Sequence, residues 1–279
     1  MKIIDAHLHI WDITKLHYPW LQSLNSINKT FLLQDYIKAG SGYEIESMVF
    51  VQCECLPEEA LQELDFVHTE NKNDNRIKAI TAYAPVEQGK KLERFLNELL
   101  KDTVVKAVRR MTDNEPELCL TKDFLEGMQL LAANNLSLEL SIKPRQVEET
   151  LKLIEQCPQN NFILDHLGKP SIASNGFDDY KKNIMQFAAH SNVTAKVSGL
   201  ITEANLRTWT KEQIQPYIEF AFEKFGFDRL MFGSDWPVVL LAGSFTKWIE
   251  TLLEITMNYT EEERSKLFYA NSKYIYRIK

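Results

Sequence analysis

The sequence predicts an α/β fold, a distorted (β/α)8 TIM-type barrel forming a single domain over residues 1–279. Three observations point to it. Short apolar runs alternate with amphipathic segments along the whole chain, and there are eight such runs. The length of 279 residues suits one barrel, for which about 250 is typical. The His and Asp residues best suited to chemistry fall where the runs end, which in a barrel is the catalytic face.

The runs lie at 2–10, 46–52, 77–85, 104–110, 136–142, 161–168, 192–199 and 229–237. Each is short, rich in Ile, Val, Leu, Phe or Thr, and bounded by Asn, Gly or Pro, the pattern of strands buried on both faces. Segments with helical spacing follow them, at 57–71, 90–101, 123–135, 145–157, 178–190, 210–226, 244–256 and 260–276. Thr210 and Thr260 precede acidic residues, as helix caps do, and Gly226 marks a helix stop. Strands alternating with helices give parallel βαβ units. An open doubly wound sheet is the competing arrangement, but no Gly-rich phosphate turn follows the first run. Two longer connections, 10–30 and 200–210, are expected on the C-terminal face.

Composition narrows the function classes. Apolar residues make up 44% and charged residues 25%, ordinary values for a globular chain. A net charge of −7 leaves no basic excess to neutralise phosphates, so nucleic acid and anionic membrane are not expected partners. No stretch reads as a membrane span, and Asp5 and His7 interrupt the N-terminal apolar run before a signal peptide could form. Cys53, Cys55, Cys119 and Cys157 are too scattered for a disulfide scaffold and read as free thiols of a cytoplasmic protein. A homo-oligomer is compatible with all of this.

His7 and His9 stand two apart on the first run, so both side chains take one face. His166 ends the sixth run and Asp235 the eighth. Singly, each is as compatible with an ordinary polar residue at a strand end or turn. Together they form a set that would converge near the barrel axis as metal ligands or as a proton-transfer group. Ser234 lacks a nucleophile elbow and reads as a turn residue.

IDAHLHIWD, HYPWL, DHLGKP, KVSGL and FGSDWPV occur in order over residues 3–238, and the set is similar to the amidohydrolase superfamily. More narrowly it resembles the branch of sugar-acid lactonases and pyrone-dicarboxylate lactonases, particularly fuconolactone and rhamnonolactone hydrolases. The resemblance implies that His7, His9 and His166 polarise a lactone carbonyl, directly or through a metal held with Asp235. It implies that Asp235 activates the attacking water. Such a reaction needs a positioned water, a base, and donors where the oxyanion forms. The sequence departs from metal-rich members: Lys106 lies early in the fourth run and the fifth run has no histidine, so either no metal or one divalent cation, zinc by preference, is expected.

Around this set, Arg109 is a candidate for substrate binding, with Arg110 pointing the other way. Gln52, Glu54, Glu139 and Lys196 are further candidates, with Glu139 alternatively pairing with Lys143 or Lys196. Trp11, Tyr18, Trp20 and Trp236 would either stack on a sugar ring or pack the rim, and His17 lies close enough in sequence to contribute. His68 and His190 read as structural or surface residues. The expected substrate is a small sugar lactone or carboxylate. A metal-dependent decarboxylase and a silent sugar-binding barrel are the alternatives.

Overall fold

The computed structural model describes residues 1–113 and 115–279. Eight strands pair side by side in chain order. They are β1 (Ile3–Leu8), β2 (Ile45–Val51), β3 (Ile77–Ala82), β4 (Val105–Arg109), β5 (Ser137–Leu140), β6 (Phe162–Leu164), β7 (Val193–Val197) and β8 (Leu230–Phe232). Every ladder is parallel. The helices α1 (Leu33–Ala39), α2 (Ala60–Asn71), α3 (Leu92–Leu99), α4 (Lys122–Ala133), α5 (Val147–Gln156), α6 (Phe177–Ala189), α7 (Lys211–Phe225) and α8 (Phe245–Ile255) each follow one strand. The chain ends in α9 (Glu261–Ser265) and α10 (Asn271–Ile275), joined by a π-helical turn. The sequence pattern marks no helix over 33–39, because seven residues are too few to display a 3.6-residue stripe.

The predicted caps form. Thr260 Oγ1 accepts the Glu263 N–H at 3.2 Å, and the Thr210 N–H donates to Gln213 at 3.1 Å. Gly226 ends α7 at φ +67°, a conformation only glycine takes without strain.

Two apolar layers hold the barrel. One lies between strands and helices. The other fills the lower lumen: Ile4, Ala6, Val49, Ala79, Ala107, Ile163 and Met231, closed from below by Tyr276 and Ile278 of the C-terminal segment. The upper lumen is polar and holds the site.

The barrel is distorted where β1 meets β8. β1 carries a register shift between Asp5 and Leu8. Strict alternation would put Ala6 and Leu8 on one face, yet Ala6 belongs to the lumen and Leu8 to the outer layer. The bulge turns His7 and His9 inward above Ala6, as bulges re-aim side chains elsewhere. β8 is only three residues long, so closure comes after its end. There His9 N–H donates to Trp236 O at 2.8 Å and Asp235 N–H to His7 O at 2.9 Å. The Asp5 carboxylate secures the seam by accepting from Ser234 N–H, His7 N–H and Tyr36 OH at 2.8, 3.1 and 2.8 Å. Ser234 is thus the turn residue expected.

Candidate active site

The closing bonds bring Asp235 against the histidines. Asp235 Oδ1 lies 3.7 Å from His7 Nε2, 3.6 Å from His9 Nε2 and 4.0 Å from His166 Nε2. His7 Nε2 and His9 Nε2 are 3.1 Å apart. All four side chains are buried. The four residues singled out in the sequence therefore converge at one point.

Backbone conformation holds them there. Asp235 and His166 adopt φ +56° and +54°, with Leu167 and Lys169 also left-handed at +50° and +48°. Non-glycine residues rarely take these values, and surrounding structure must impose them. Gly199 sits against the pair at φ +61°, and a Cβ there would lie 2.5 Å from His166 Nδ1 and 3.0 Å from Asp235 Oδ2. Only glycine lets the KVSGL loop pass so close.

The outer ring nitrogens are also engaged. His9 Nδ1 lies 2.7 Å from the Val51 carbonyl, so Nδ1–H donates and Nε2 keeps its lone pair. His166 Nδ1 meets Ser198 Oγ at 2.9 Å. His7 Nδ1 faces Lys196 Nζ at 3.2 Å and Asp165 Oδ1 at 3.3 Å. Burial lowers the basicity of all three imidazoles, to about 4 for His166, so the rings are neutral at physiological pH. Burial works to raise the Asp235 carboxyl, but the facing imidazoles of His166, His7 and His9 outweigh it and keep the group anionic.

Neutral imidazoles around a carboxylate also suit a divalent cation. Four ligands at zinc–nitrogen distances of 2.0–2.1 Å would stand about 3.3 Å apart. The 3.1–3.7 Å separations among His7 Nε2, His9 Nε2 and Asp235 Oδ1 bracket that spacing, with His166 Nε2 farther out at 4.0 Å from Asp235 Oδ1, and the Val51 carbonyl and Ser198 hydroxyl on the outer nitrogens of His9 and His166 are partners of the kind metal-bound histidines have. The group can hold one divalent cation.

Above the four residues opens a cavity of about 310 Å³. His9, His166 and Asp235 form part of its lining, with Arg109, Glu54 and Trp20 from the sequence candidates. Arg109 is 5% exposed. It donates through Nη2 to Gln52 O at 2.5 Å, and its Nε has no partner among the described residues. Arg110 points outward and pairs with Glu87, as alternation requires. Trp20 is anchored by its Nε1–H on Cys53 O at 2.7 Å.

Five residues offered as substrate-binding candidates lie outside the cavity lining. Trp11 and Trp236 do not line the cavity. The 10–30 segment folds back on itself through reciprocal Trp11–Phe31 backbone bonds of 2.9 Å. Trp11 then packs edge-on against Trp20 and Phe31, and Trp236 against Phe31 and Tyr36. Glu139 and Lys196 are buried beneath the histidines and pair at 2.6 Å, the pairing that the sequence offers as the alternative to substrate binding. Lys143 is instead at the surface near Asp113. Gln52 is buried too, and its amide donates to Glu54. Tyr18 is buried in the core. His17 is exposed and bound to Glu59, His68 pairs with Asp102, and His190 ends α6. All four cysteines are free and buried.

Sequence reasoning missed Lys169, Thr202, Glu203, Asp113, Met111, Ser141, Val238 and Cys53 in the lining. Two signals were available: Lys169 belongs to DHLGKP, and Thr202 and Glu203 open the long connection expected on this face.

The fold and the site together define a (β/α)8 barrel that gathers three imidazoles and one carboxylate at the C-terminal ends of its parallel strands. More particularly, the amidohydrolase family model matches residues 4–278, and the chain belongs to that family. Among its relatives is an uncharacterized protein, y4mH, of Sinorhizobium fredii, 30% identical over all of this chain and 99% of the relative. An L-fucono-1,5-lactonase of Burkholderia ambifaria is 28% identical over 99% of this chain and 95% of its own. In fold the chain is similar to a crystallised amidohydrolase of Burkholderia multivorans with bound zinc: 24% identity, TM-score 0.90, and full coverage of both chains.

Proposed function

We propose that this protein hydrolyses a sugar-acid lactone, an aldonolactone such as L-fuconolactone or L-rhamnonolactone. The observation that carries this reading is the anionic Asp235 set 3.6–4.0 Å from three imidazole nitrogens at the floor of a small cavity. A carbonyl placed among the rings and a water beside the carboxylate fill that space together. Asp235 takes a proton from the water as its oxygen attacks the carbonyl carbon. The Nε2–H groups of His166 and His7 stabilise the oxyanion, His9 having given its N–H to Val51 O. As the carbon–oxygen ring bond breaks, Asp235 returns the proton to the leaving oxygen, giving the open hydroxy acid. No side-chain nucleophile is required. A zinc ion held by His7, His9, His166 and Asp235 would supply Lewis-acid polarisation of the same carbonyl.

The rest of the lining supports a polyhydroxylated ring. Glu54, Asp113 and Glu203 accept hydroxyl donors, while the Arg109 guanidinium and the Lys169 ammonium donate to ring oxygens. Carboxylates outnumber cations here, which disfavours a dicarboxylate substrate.

The test is acid release from a panel of five- and six-carbon aldonolactones, before and after chelator treatment. Fast hydrolysis of one configuration is the expected result. No hydrolysis of any lactone, with zinc or manganese restored, sinks the proposal and favours a decarboxylase. Within the panel, Arg109→Ala should raise KM more than it lowers kcat if Arg109 binds substrate; an unchanged KM removes it from that role.

A further inference from the structure

Below the site lies a polar cluster that the proposed chemistry does not use. Lys196 Nζ is fully buried and faces three acceptors: Glu139 Oε2 at 2.6 Å, Asp165 Oδ1 at 3.1 Å and His7 Nδ1 at 3.2 Å. An ammonium has three donors and no acceptor. Glu139 is itself fixed, its Oε1 accepting from Thr81 Oγ1 and from Tyr276 OH, both at 2.5 Å. Tyr276 comes from the segment that closes the lower lumen, so the cluster is anchored at the far end of the barrel.

His7 Nδ1 has two neighbours of opposite demand. Asp165 Oδ1, at 3.3 Å, asks for a proton on Nδ1, whereas Lys196 asks for a lone pair there. The other side of the ring decides between them. His9 donates its Nδ1–H to Val51 O at 2.7 Å, so His9 Nε2 is an acceptor, and it stands 3.1 Å from His7 Nε2. That contact is a hydrogen bond only if His7 carries its proton on Nε2. Asp235 Oδ1, 3.7 Å from His7 Nε2, favours the same placement. Arg109 Nη1 opposes it, but from 3.5 Å and at the limit of bonding distance.

We infer that Lys196 is a positioning residue that keeps the proton of neutral His7 on Nε2, so that in the metal-free protein His7 turns an N–H donor rather than a lone pair toward His9 Nε2 and Asp235. A cation in the histidine–aspartate group needs that lone pair. His7 must then move its proton to Nδ1 and donate to Asp165, giving up the bond from Lys196. Lys196 thus weakens the group's hold on a cation.

The tautomer is read directly from long-range ¹H–¹⁵N correlation spectra of metal-free protein with ¹⁵N-labelled histidine, the His7 signals being identified by their loss in His7→Gln. The expected pattern is a protonated Nε2 and bare Nδ1 for His7, and the reverse for His9. A protonated Nδ1 on His7 overturns the inference. Lys196→Met alone would strand two buried carboxylates, so the companion variant is Lys196→Met with Glu139→Gln, which removes one charge of each sign. There the His7 tautomer should invert. Zinc, measured by competition with a chromophoric chelator, should bind tighter by about tenfold or more, the scale on which such partners act. An unchanged tautomer and unchanged zinc affinity in the folded double variant also overturn it. If that variant does not fold, the wild-type spectrum still decides. Neither readout involves a lactone, so the outcome is independent of the proposed activity.

Discussion

Asp235 carries the demands of the site on one side chain. It is buried, left-handed in its backbone, and kept ionised by the imidazoles it faces. Asp235→Asn keeps the shape and the hydrogen-bonding oxygen but cannot take a proton. It should fold normally by circular dichroism while kcat on the best lactone falls by roughly a hundredfold or more. Near-normal turnover would remove Asp235 from the role of base. Gly199 offers an independent test of geometry. In Gly199→Ala the methyl group meets His166 Nδ1 at 2.5 Å, and the ring must give way. A misplacement of about 1 Å costs on the order of a hundredfold in rate. The variant should therefore lose activity on that scale while still folding by circular dichroism with a lowered Tm, and wild-type kcat would show that His166 needs no such placement.

At the scale of elements, the loops that follow the strands build the cavity, and the first loop does so from a core of its own. Trp11 is buried, its Nε1–H held by Lys29 O at 2.7 Å, and its ring supports Trp20 at the cavity wall. Trp11→Ala leaves a large void and should destabilise the protein by about 3–5 kcal/mol in urea unfolding, with KM rising as Trp20 loosens. A change below about 1 kcal/mol would mean that the loop is not packed as described. The connection after β7 contributes differently: its Thr202 and Glu203 face the cavity, while Leu200 and Ile201 are buried to hold it down.

For the whole molecule, the buried acids set the pH response of stability. Glu63 on α2 is buried, with the Cys53 N–H donating to it at 3.0 Å. Burial pushes its carboxyl up from 4.5 to about 8. Between those values the folded state keeps a proton that the unfolded chain has released. This contribution to stability is therefore full below about 4.5 and is lost as pH rises through about 8. Its size is on the order of a few kcal/mol. Unfolding free energy measured from pH 5 to 9 should fall less steeply in Glu63→Gln than in the parent protein. Parallel curves would show that Glu63 does not titrate in this window.

Much of this was legible in the sequence. Strand-length apolar runs and helical stripes are local patterns, and eight alternations leave a barrel as the natural closure. All eight strands lie within the predicted runs to within a residue at their starts, and His7, His9, His166 and Asp235 could be singled out because their positions along the runs place them at one end of the barrel. What the sequence could not show depends on contacts between distant segments. The bulge in β1 is invisible in an alternating string, because it exists only relative to the register of β2. Trp11 and Trp236 read as rim aromatics until the return of the chain at Phe31 covers them. Lys196 and Glu139 have the composition of binding residues, and only their depth beneath His7 makes them a buried pair. Local patterning determined the elements and the chemistry at their ends, because dihedral preference and hydrophobic period act over a few residues. Tertiary structure alone decided which polar groups line the cavity and which meet one another, because burial is a property of the closed barrel and of no single segment.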